Sequence, residues 1–290
     1  MRSGLLLLFK VPGPTSHDLV EEARRLFPRE KVGHGGTLDP AAAGLLVLLV
    51  GRATRLSRYL LGADKAYLFE VTFGVETDTG DQEGEVVAVA PLPAEEKLRE
   101  VLSGFQGEIR QKIPAFSAAK RKGKPRYAWA REGKELPEEE RPVTIHRFEL
   151  LRWEGGGERA VFYLEASHGT YVRQLAVDLA RKAGSAGHVS ALLRTRVGPF
   201  SLEEALPWEE VSALAREGRP PLLGAERLLP SSWPRIEISA AQGRALRQGL
   251  WPASLPRVSQ AALLQGGELV AVVDREGQGR RLLWLGGDEG

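Results

Sequence analysis

The sequence predicts an α+β fold on a mixed or antiparallel sheet, followed by a small β-rich C-terminal unit. Two apolar runs, "LLLLF" at 5 to 9 and the glycine-bounded "GLLVLLVG" at 44 to 51, read as buried strands. The stretch "AYLFEVTFGV" at 66 to 75 alternates strictly, then turns and returns, which is the pattern of a hairpin. Pro230 and Pro234 in "LLPSSWPRIEIS" mark a linker. At 290 residues the chain exceeds the roughly 100 to 200 residues of a usual domain, so a large domain over 1–228 and a smaller one over 229–290 are expected.

After the first strand, "TSHDLVEEARRLF" places Leu19, Val20, Ala23 and Leu26 at helical spacing, with Thr and Ser at its start as caps, and ends at Pro28. A glycine-rich segment, 33–44, precedes the second buried strand. "ATRLSRYLL" at 53 to 61 reads as a short helix with Arg52, Arg55 and Arg58 on one edge. The alternating strand sends Tyr67, Phe69, Val71, Phe73 and Val75 to one face, "TDTGDQEG" is a hydrated turn, and "EVVAVA" returns. A helix over 94–104 leads into a basic segment whose Pro114, Gly123, Pro125 and Gly133 exclude one continuous helix or strand. Strands follow at 143–153 and 159–167, then a helix over 172–183 stopped by Gly184, then two short acidic helices beyond Phe200. The C-terminal unit shows a helix near 240–248 and the β runs "LVAVVD" and "RRLLWL".

Composition narrows the function classes. Apolar residues are 42% and charged residues 27%, ordinary for a folded globular chain. No run approaches the 18 or so apolar residues of a membrane span, the apolar run at 5 to 9 lacks a cleavage site, and there are no cysteines, so a cytoplasmic protein without a membrane partner is expected. Net charge is only +2, but its distribution is uneven. Nine Lys or Arg fall between Arg110 and Lys134 against one acid, Glu132, with Glu135, Glu138, Glu139 and Glu140 just downstream. The five histidines show no metal-ligand spacing, "GHGG" satisfies neither phosphate-loop pattern, and there is no GxSxG elbow, so no metal, no nucleotide cofactor and no serine nucleophile are expected.

In "GHGGTLDPAAAG", at 33 to 44, Pro40 biases Asp39 toward extended backbone and the glycines allow close approach of a ligand or another segment. Spacing alone leaves Asp39 as either a turn or cap residue or a presented carboxylate. In "SHGTYVRQLAVDLA" at 167 to 180, Arg173 is either a surface arginine or one that reaches a carboxylate bidentately. Tyr67, on the apolar face of a strand, reads as core.

Taken together, "GHGGTLDPAAAGLLVLLVGRATRLSRYL", "DKAYLFEVTFGVETDTGDQEG", "IPAFSAAKRKGKPRYAWAREG", "SHGTYVRQLAVDLARKAG" and "GHVSALLRTRVGPF", in that order, resemble the TruB family of tRNA pseudouridine synthases. The resemblance implies a pseudouridine-synthase-type catalytic domain, an RNA-clamping insertion at about 110–142 and a PUA-like RNA-binding C-terminal domain. It makes Asp39 the catalytic aspartate, Tyr67 the stacking tyrosine, Arg173 the orienting arginine, and Tyr171 and Leu192 pocket residues. His34 falls on the histidine associated with opening the RNA loop, and Lys10 on the N-terminal lysine. Gly35 stands where the family usually has Thr, Phe9 and Val11 flank Lys10 in place of an acid and a proline, and Phe116 replaces a common Tyr.

The implied reaction turns uridine into its isomer pseudouridine in the tRNA T-loop, at position 55 in tRNA numbering, by base flipping and without a cofactor. Lys120, Arg121, Lys122, Lys124 and Arg126 are expected to contact the RNA, here as a monomer acting on the T-stem-loop. The competing reading is an RNA-binding or RNA-folding module without catalysis; the Asp39, Tyr67, Arg173 set weighs against it, since a pure binder has no need of a carboxylate beside polyanionic RNA.

Overall fold

The computed structural model describes residues 3–134, 136–276 and 279–285. Its first strand, Gly4–Lys10, pairs antiparallel with Ala43–Val50 from Gly4 opposite Val50 to Lys10 opposite Gly44. These two strands are covered on both faces, which is why they run apolar without alternation. Leu5, Leu7, Leu45, Val47 and Leu49 face a cluster that includes Ala262, Val272 and Leu285 of the C-terminal unit. Leu6, Leu8, Leu46, Leu48 and Val50 face the opposite cluster, against helices Ser16–Leu26 and Trp208–Arg216. Thr15 and Asp18 cap the first of these helices reciprocally: the Thr15 hydroxyl accepts from the Asp18 N–H at 3.1 Å and the Asp18 carboxylate from the Thr15 N–H at 2.8 Å.

The other half of the sheet is covered on one face. Strand Lys65–Phe73 lies between Gly187–Val197 and Arg159–Ala166, and Glu140–Glu154 and Gly107–Lys112 continue outward, all antiparallel. Tyr67, Phe69, Val71 and Phe73 enter a cluster closed by Leu175, Ala176 and Leu179 of helix Val172–Lys182 and by Leu98 and Leu102 of helix Glu95–Leu102. The strict alternation in the sequence records this one-sided burial. The halves meet at a short parallel joint, Leu193 opposite Ala43 and Arg194 opposite Gly44, so the sheet is mixed. Gly44 sits at φ +116, and a Cβ there would lie 2.3 Å from the Arg194 carbonyl oxygen; only glycine allows this approach.

Several local expectations change. The alternating strand does not run on to Val75. Gly74, at φ +91, turns the chain away, and Val75–Thr77 pairs with Val86–Val89 in a separate two-stranded ribbon. The helix expected over 53–61 is a 3-10 turn, Gly51–Leu56, followed by Ser57–Leu61. The excursion expected over 110–142 is narrower, because Gly107–Lys112 and Glu140–Glu154 are strands of the main sheet, with Lys112 opposite Glu140. Between them lie a hairpin, Lys120–Arg121 with Lys124–Pro125, and helix Arg126–Arg131. Glu135 lies outside the described residues.

The C-terminal sheet is four-stranded, in the order Arg235–Glu237, Ala261–Gln265, Glu268–Glu276, Gly279–Trp284, with helix Ala240–Arg247. The first two of these strands were not expected from the sequence, and the span 229–290 extends at 277–278 and 286–290 beyond the described residues. Ile238, Leu246, Leu255, Ala261, Leu263, Ala271 and Val273 form its own core. It is fastened to the main unit by Asp274, whose carboxylate accepts from the Tyr59 hydroxyl at 2.6 Å and the Arg58 guanidinium at 2.7 Å, and is held from within its own unit by the Gln260 amide at 3.0 Å. No helix among the described residues is long and apolar enough to cross a membrane.

Candidate active site

The glycine-rich segment becomes a loop gripped from three sides. From the first helix, the Ser16 hydroxyl accepts from the Leu38 N–H at 2.9 Å and donates to the Leu38 carbonyl at 3.1 Å. From the end of the first strand, the Lys10 ammonium donates to the carbonyls of Ala42 at 2.7 Å, Pro40 at 2.9 Å and Val11 at 3.1 Å. From the joint, the Arg194 guanidinium donates to Leu45 O at 2.9 Å, Thr37 O at 3.1 Å and Gly36 O at 3.2 Å. The backbone around Asp39 is thereby fixed while its side chain stays 40% exposed.

Arg173 meets that side chain from the opening turn of helix Val172–Lys182. Its Nε donates to Asp39 Oδ2 at 2.9 Å and its Nη2 to Asp39 Oδ1 at 3.3 Å, a bidentate pairing. The remaining donors reach Thr79 O at 2.6 Å and Phe116 O at 2.9 Å, and Asp81 Oδ2 lies 3.5 Å from Nε. The "TDTGDQEG" turn is therefore more than a hydrated connection: it folds Asp81 inward beside Arg173. Gln111, fully buried, brackets Tyr171 by accepting from its N–H at 2.8 Å and donating to its carbonyl at 3.0 Å. That fixes the start of the helix, which has no side-chain cap of its own.

Asp39, Tyr67, Tyr171, Arg173 and Leu192 converge on one cavity of about 420 Å³, within the size range of small-ligand sites. Tyr67 belongs to both worlds. Its ring is 8% exposed and part of the core, yet it lines the cavity. Its hydroxyl is hydrogen-bonded to Arg194, and burial pushes the phenol's pKa up. Lys65, Arg194, Arg141 and His168 also line the cavity; with Gln111 and Asp81 they were not singled out in the sequence. The only signal for them was position: Lys65 lies two residues before Tyr67, and Arg194 two after Leu192.

Other expected site residues lie elsewhere. Lys10 is corrected from substrate contact to scaffold: it is 1% exposed, does not line the cavity, and spends its donors on three carbonyls. Burial lowers its pKa to about 8, with the nearby Asp39 charge opposing the shift. His34 lines a separate depression of about 570 Å³ with Arg24, Lys31, Thr54 and Ser57. Its Nδ1 accepts from the Gly36 N–H at 3.3 Å, and burial lowers its pKa. In the excursion, Arg126 is corrected from RNA contact to interior anchor. Its side chain is 3% exposed and donates to Pro114 O at 3.3 Å and Pro137 O at 3.1 Å. Lys124 pairs with Glu132 and lies over the Trp129 ring, and Arg121 is 3.6 Å from Glu139. Lys120 and Lys122 are exposed at the hairpin. Among the described residues no group of three or more acids and histidines is arranged to hold a metal ion.

Residues 24–172 match the TruB family pseudouridylate synthase N-terminal domain. The chain is 48% identical over 247 residues to tRNA pseudouridine synthase B of Aromatoleum aromaticum, covering 85% of this chain and 80% of that one. It is 40% identical over 283 residues to the tRNA pseudouridine synthase B of Pelotomaculum thermopropionicum, covering 95% and 89%. Among solved structures, a crystal structure of a Cbf5-Nop10-Gar1 complex aligns with a TM-score of 0.69 at 26% identity, covering 97% of this chain and 83% of that one.

Proposed function

The chain belongs to the TruB family of pseudouridylate synthases and is an isomerase, and from that premise we propose that it converts uridine to pseudouridine in tRNA, at the T-loop uridine, position 55 in tRNA numbering, with Asp39 as the catalytic carboxylate. The observation that carries the assignment is the bidentate Arg173–Asp39 pair at the cavity shared by Tyr67, Tyr171 and Leu192.

The reaction is an isomerisation in which the bond from N1 to C1′ breaks, a bond from C5 to C1′ forms, the proton on C5 leaves and N1 gains one. No electrons are gained or lost, so the work falls to positioning and acid–base chemistry. Such a base must first leave its stack, at a cost of a few kcal/mol. Stacking on the Tyr67 ring offsets about 1–3 kcal/mol of this. Arg173 aims the Asp39 carboxylate as nucleophile or base toward the extruded nucleotide, and Leu192 supplies an apolar wall. The exposed cations Lys120 and Lys122 contact the RNA backbone, and residues 229–290 act as a PUA-like RNA-binding domain.

The test is incubation of the purified protein with unmodified tRNA and with a short T-stem-loop hairpin, followed by site-resolved detection of pseudouridine. Pseudouridine at the T-loop uridine in both substrates is the expected result. Modification confined to another position overturns the site assignment, and binding without modification favours a catalytically silent RNA-binding module.

A further inference from the structure

The Asp39 cavity is built on cations that lack carboxylate partners. Lys10, Lys65 and Arg194 are 1%, 8% and 2% exposed, and the oxygen atoms that receive their donors are backbone carbonyls or, for Arg194, the Tyr67 hydroxyl. No carboxylate among the described residues lies within ion-pair distance of any of the three. The carboxylates at the site, Asp39 and Asp81, are both beside Arg173. Lys65, Arg141, Arg173 and Arg194 thus line the cavity with Asp39 the carboxylate among its lining residues, and Asp81 beside Arg173 behind it. Burying an ammonium or guanidinium without a counter-charge is costly, and the cost is recovered when a negative charge enters the same low-dielectric space.

Of the three, Lys65 and Arg194 line the cavity and Lys10 does not. They close on the same point of the Asp39 loop: a Cβ at Gly36 would lie 3.4 Å from Lys65 Cε and 3.7 Å from an Arg194 nitrogen. Gly36, at φ +132, carries no side chain to screen them. Arg194 is fully engaged in holding the loop, the strand Ala43–Val50 and Tyr67. Lys65 is not: its ammonium has three donors, and its acceptors are Ala63 O at 2.6 Å and Leu61 O at 3.4 Å.

We propose that Lys65 is a further catalytic residue of the isomerase, whose ammonium, backed by the fixed charge of Arg194, stabilises the negative charge on the detached base. When the bond from N1 to C1′ breaks heterolytically, its electron pair leaves with N1 and the base becomes a uracil monoanion. It must persist in the cavity until C5 bonds to C1′, after which the C5 proton is lost, N1 is protonated and the neutral isomer results. Burial lowers the Lys65 pKa to about 8, the behaviour of a cation held ready in a poorly solvated place with the Arg194 charge nearby.

The inference rests on the isomerase reading, and formation of pseudouridine by the unaltered protein tests that reading separately in the same assay. Single-turnover rates and tRNA affinities are measured for Lys65→Met and Lys65→Arg on tRNA bearing uridine or 5-fluorouridine at the target position. Fluorine stabilises the detached anion without help from the protein, and disappearance of 5-fluorouridine reports bond breakage although that base cannot lose a C5 proton. The expected result is a loss of 100-fold or more for Lys65→Met on uridine, the scale seen when one oxyanion donor is removed. Affinity stays within twofold, Lys65→Arg stays within tenfold of the parent rate, and the Lys65→Met loss shrinks at least tenfold on 5-fluorouridine. Equal losses on the two bases, or Lys65→Arg as impaired as Lys65→Met, make Lys65 a structural cap of the preceding turn. Weakened affinity with an unchanged rate makes it a phosphate contact. Either overturns the proposal, and Lys65→Arg keeps the test alive should Lys65→Met fail to fold.

Discussion

Asp39→Asn separates the two readings of the carboxylate because it changes charge and nucleophilicity at nearly constant size. Its effect on stability follows from the contacts. Asp39 gives up an ionic partner for Arg173, and hydrogen bonds to charged groups contribute about 1.5–3 kcal/mol when well shielded. Asp39 is 40% exposed, which screens the pair and brings the loss nearer to about 1 kcal/mol. Arg173 is not orphaned, since Thr79 O, Phe116 O and Asp81 remain. The loop is also held independently by Ser16, Lys10 and Arg194. Melting should therefore fall by only about 2–4 °C. Affinity for tRNA should stay level or rise slightly, because one negative charge beside RNA is gone. Single-turnover pseudouridine formation, measured beside melting and binding on one preparation, should be undetectable. Turnover within tenfold of the parent amounts to only about 1.4 kcal/mol of barrier and would refute the assignment.

Tyr67→Phe keeps the ring, and each Arg194 nitrogen retains a backbone carbonyl acceptor, so it should lower stability by only about 0.5–1.5 kcal/mol, the net worth of one hydrogen bond, while retaining turnover, whereas Tyr67→Ala should lose turnover beyond what its melting explains. A fully active Phe variant beside an Ala variant that simply unfolds would make Tyr67 core alone. Neutralising Lys120 and Lys122 should flatten the log–log salt dependence of tRNA binding by about 0.7–0.9 per lost phosphate contact, while Arg126→Gln should lower melting and leave the slope unchanged; the reverse pattern would restore Arg126 to the RNA surface. Truncation after Leu229 should destabilise the remaining chain, because Leu5, Leu45 and Leu49 share a core with Ala262, Val272 and Leu285. A soluble 1–229 fragment melting as cooperatively as the whole would contradict this.

The legible parts of the sequence were those whose burial imposes a period. Leu5 to Leu8 and Leu45 to Val50 are covered on both faces and run apolar, and Tyr67 to Phe73 are covered on one and alternate. Illegible parts depend on contacts between distant segments. Nothing near Gly74 shows that the strand leaves the sheet there, because Val75 continues the alternation. Arg126 sits in a run of cations, and only the fold shows that Pro114 and Pro137 carbonyls take it inside. Strand Ala261–Gln265 was missed because it is short and its register depends on a neighbour on each side. At the site, spacing could not choose between turn and presented carboxylate for Asp39, since Arg173 lies 134 residues away. Gln111 gave no local sign and Arg194 none beyond its place two residues after Leu192: what they hold are backbone groups of distant segments and, for Arg194, the Tyr67 hydroxyl.

The position of the site follows from the parallel joint. The Asp39 loop ends where Ala43–Val50 begins, and that strand begins at the residues that pair with Leu193 and Arg194. The loop therefore belongs to one half of the sheet, while Arg173 rides on a helix packed against the other. Their ion pair spans the joint, and a small shear between the halves would pull it out of bidentate register. Arg194 resists that shear. Its backbone forms the joint at Gly44, and its guanidinium ties the loop on one side to Tyr67 on the other. The full burial of a charge at this point, with only neutral oxygens around it, is costly for stability alone. The cost is offset where the same charge both holds Asp39 in register with Arg173 and sets a positive potential in the cavity that the pair lines. One residue then couples the geometry of the pair to the electrostatics of the space in which the pair acts.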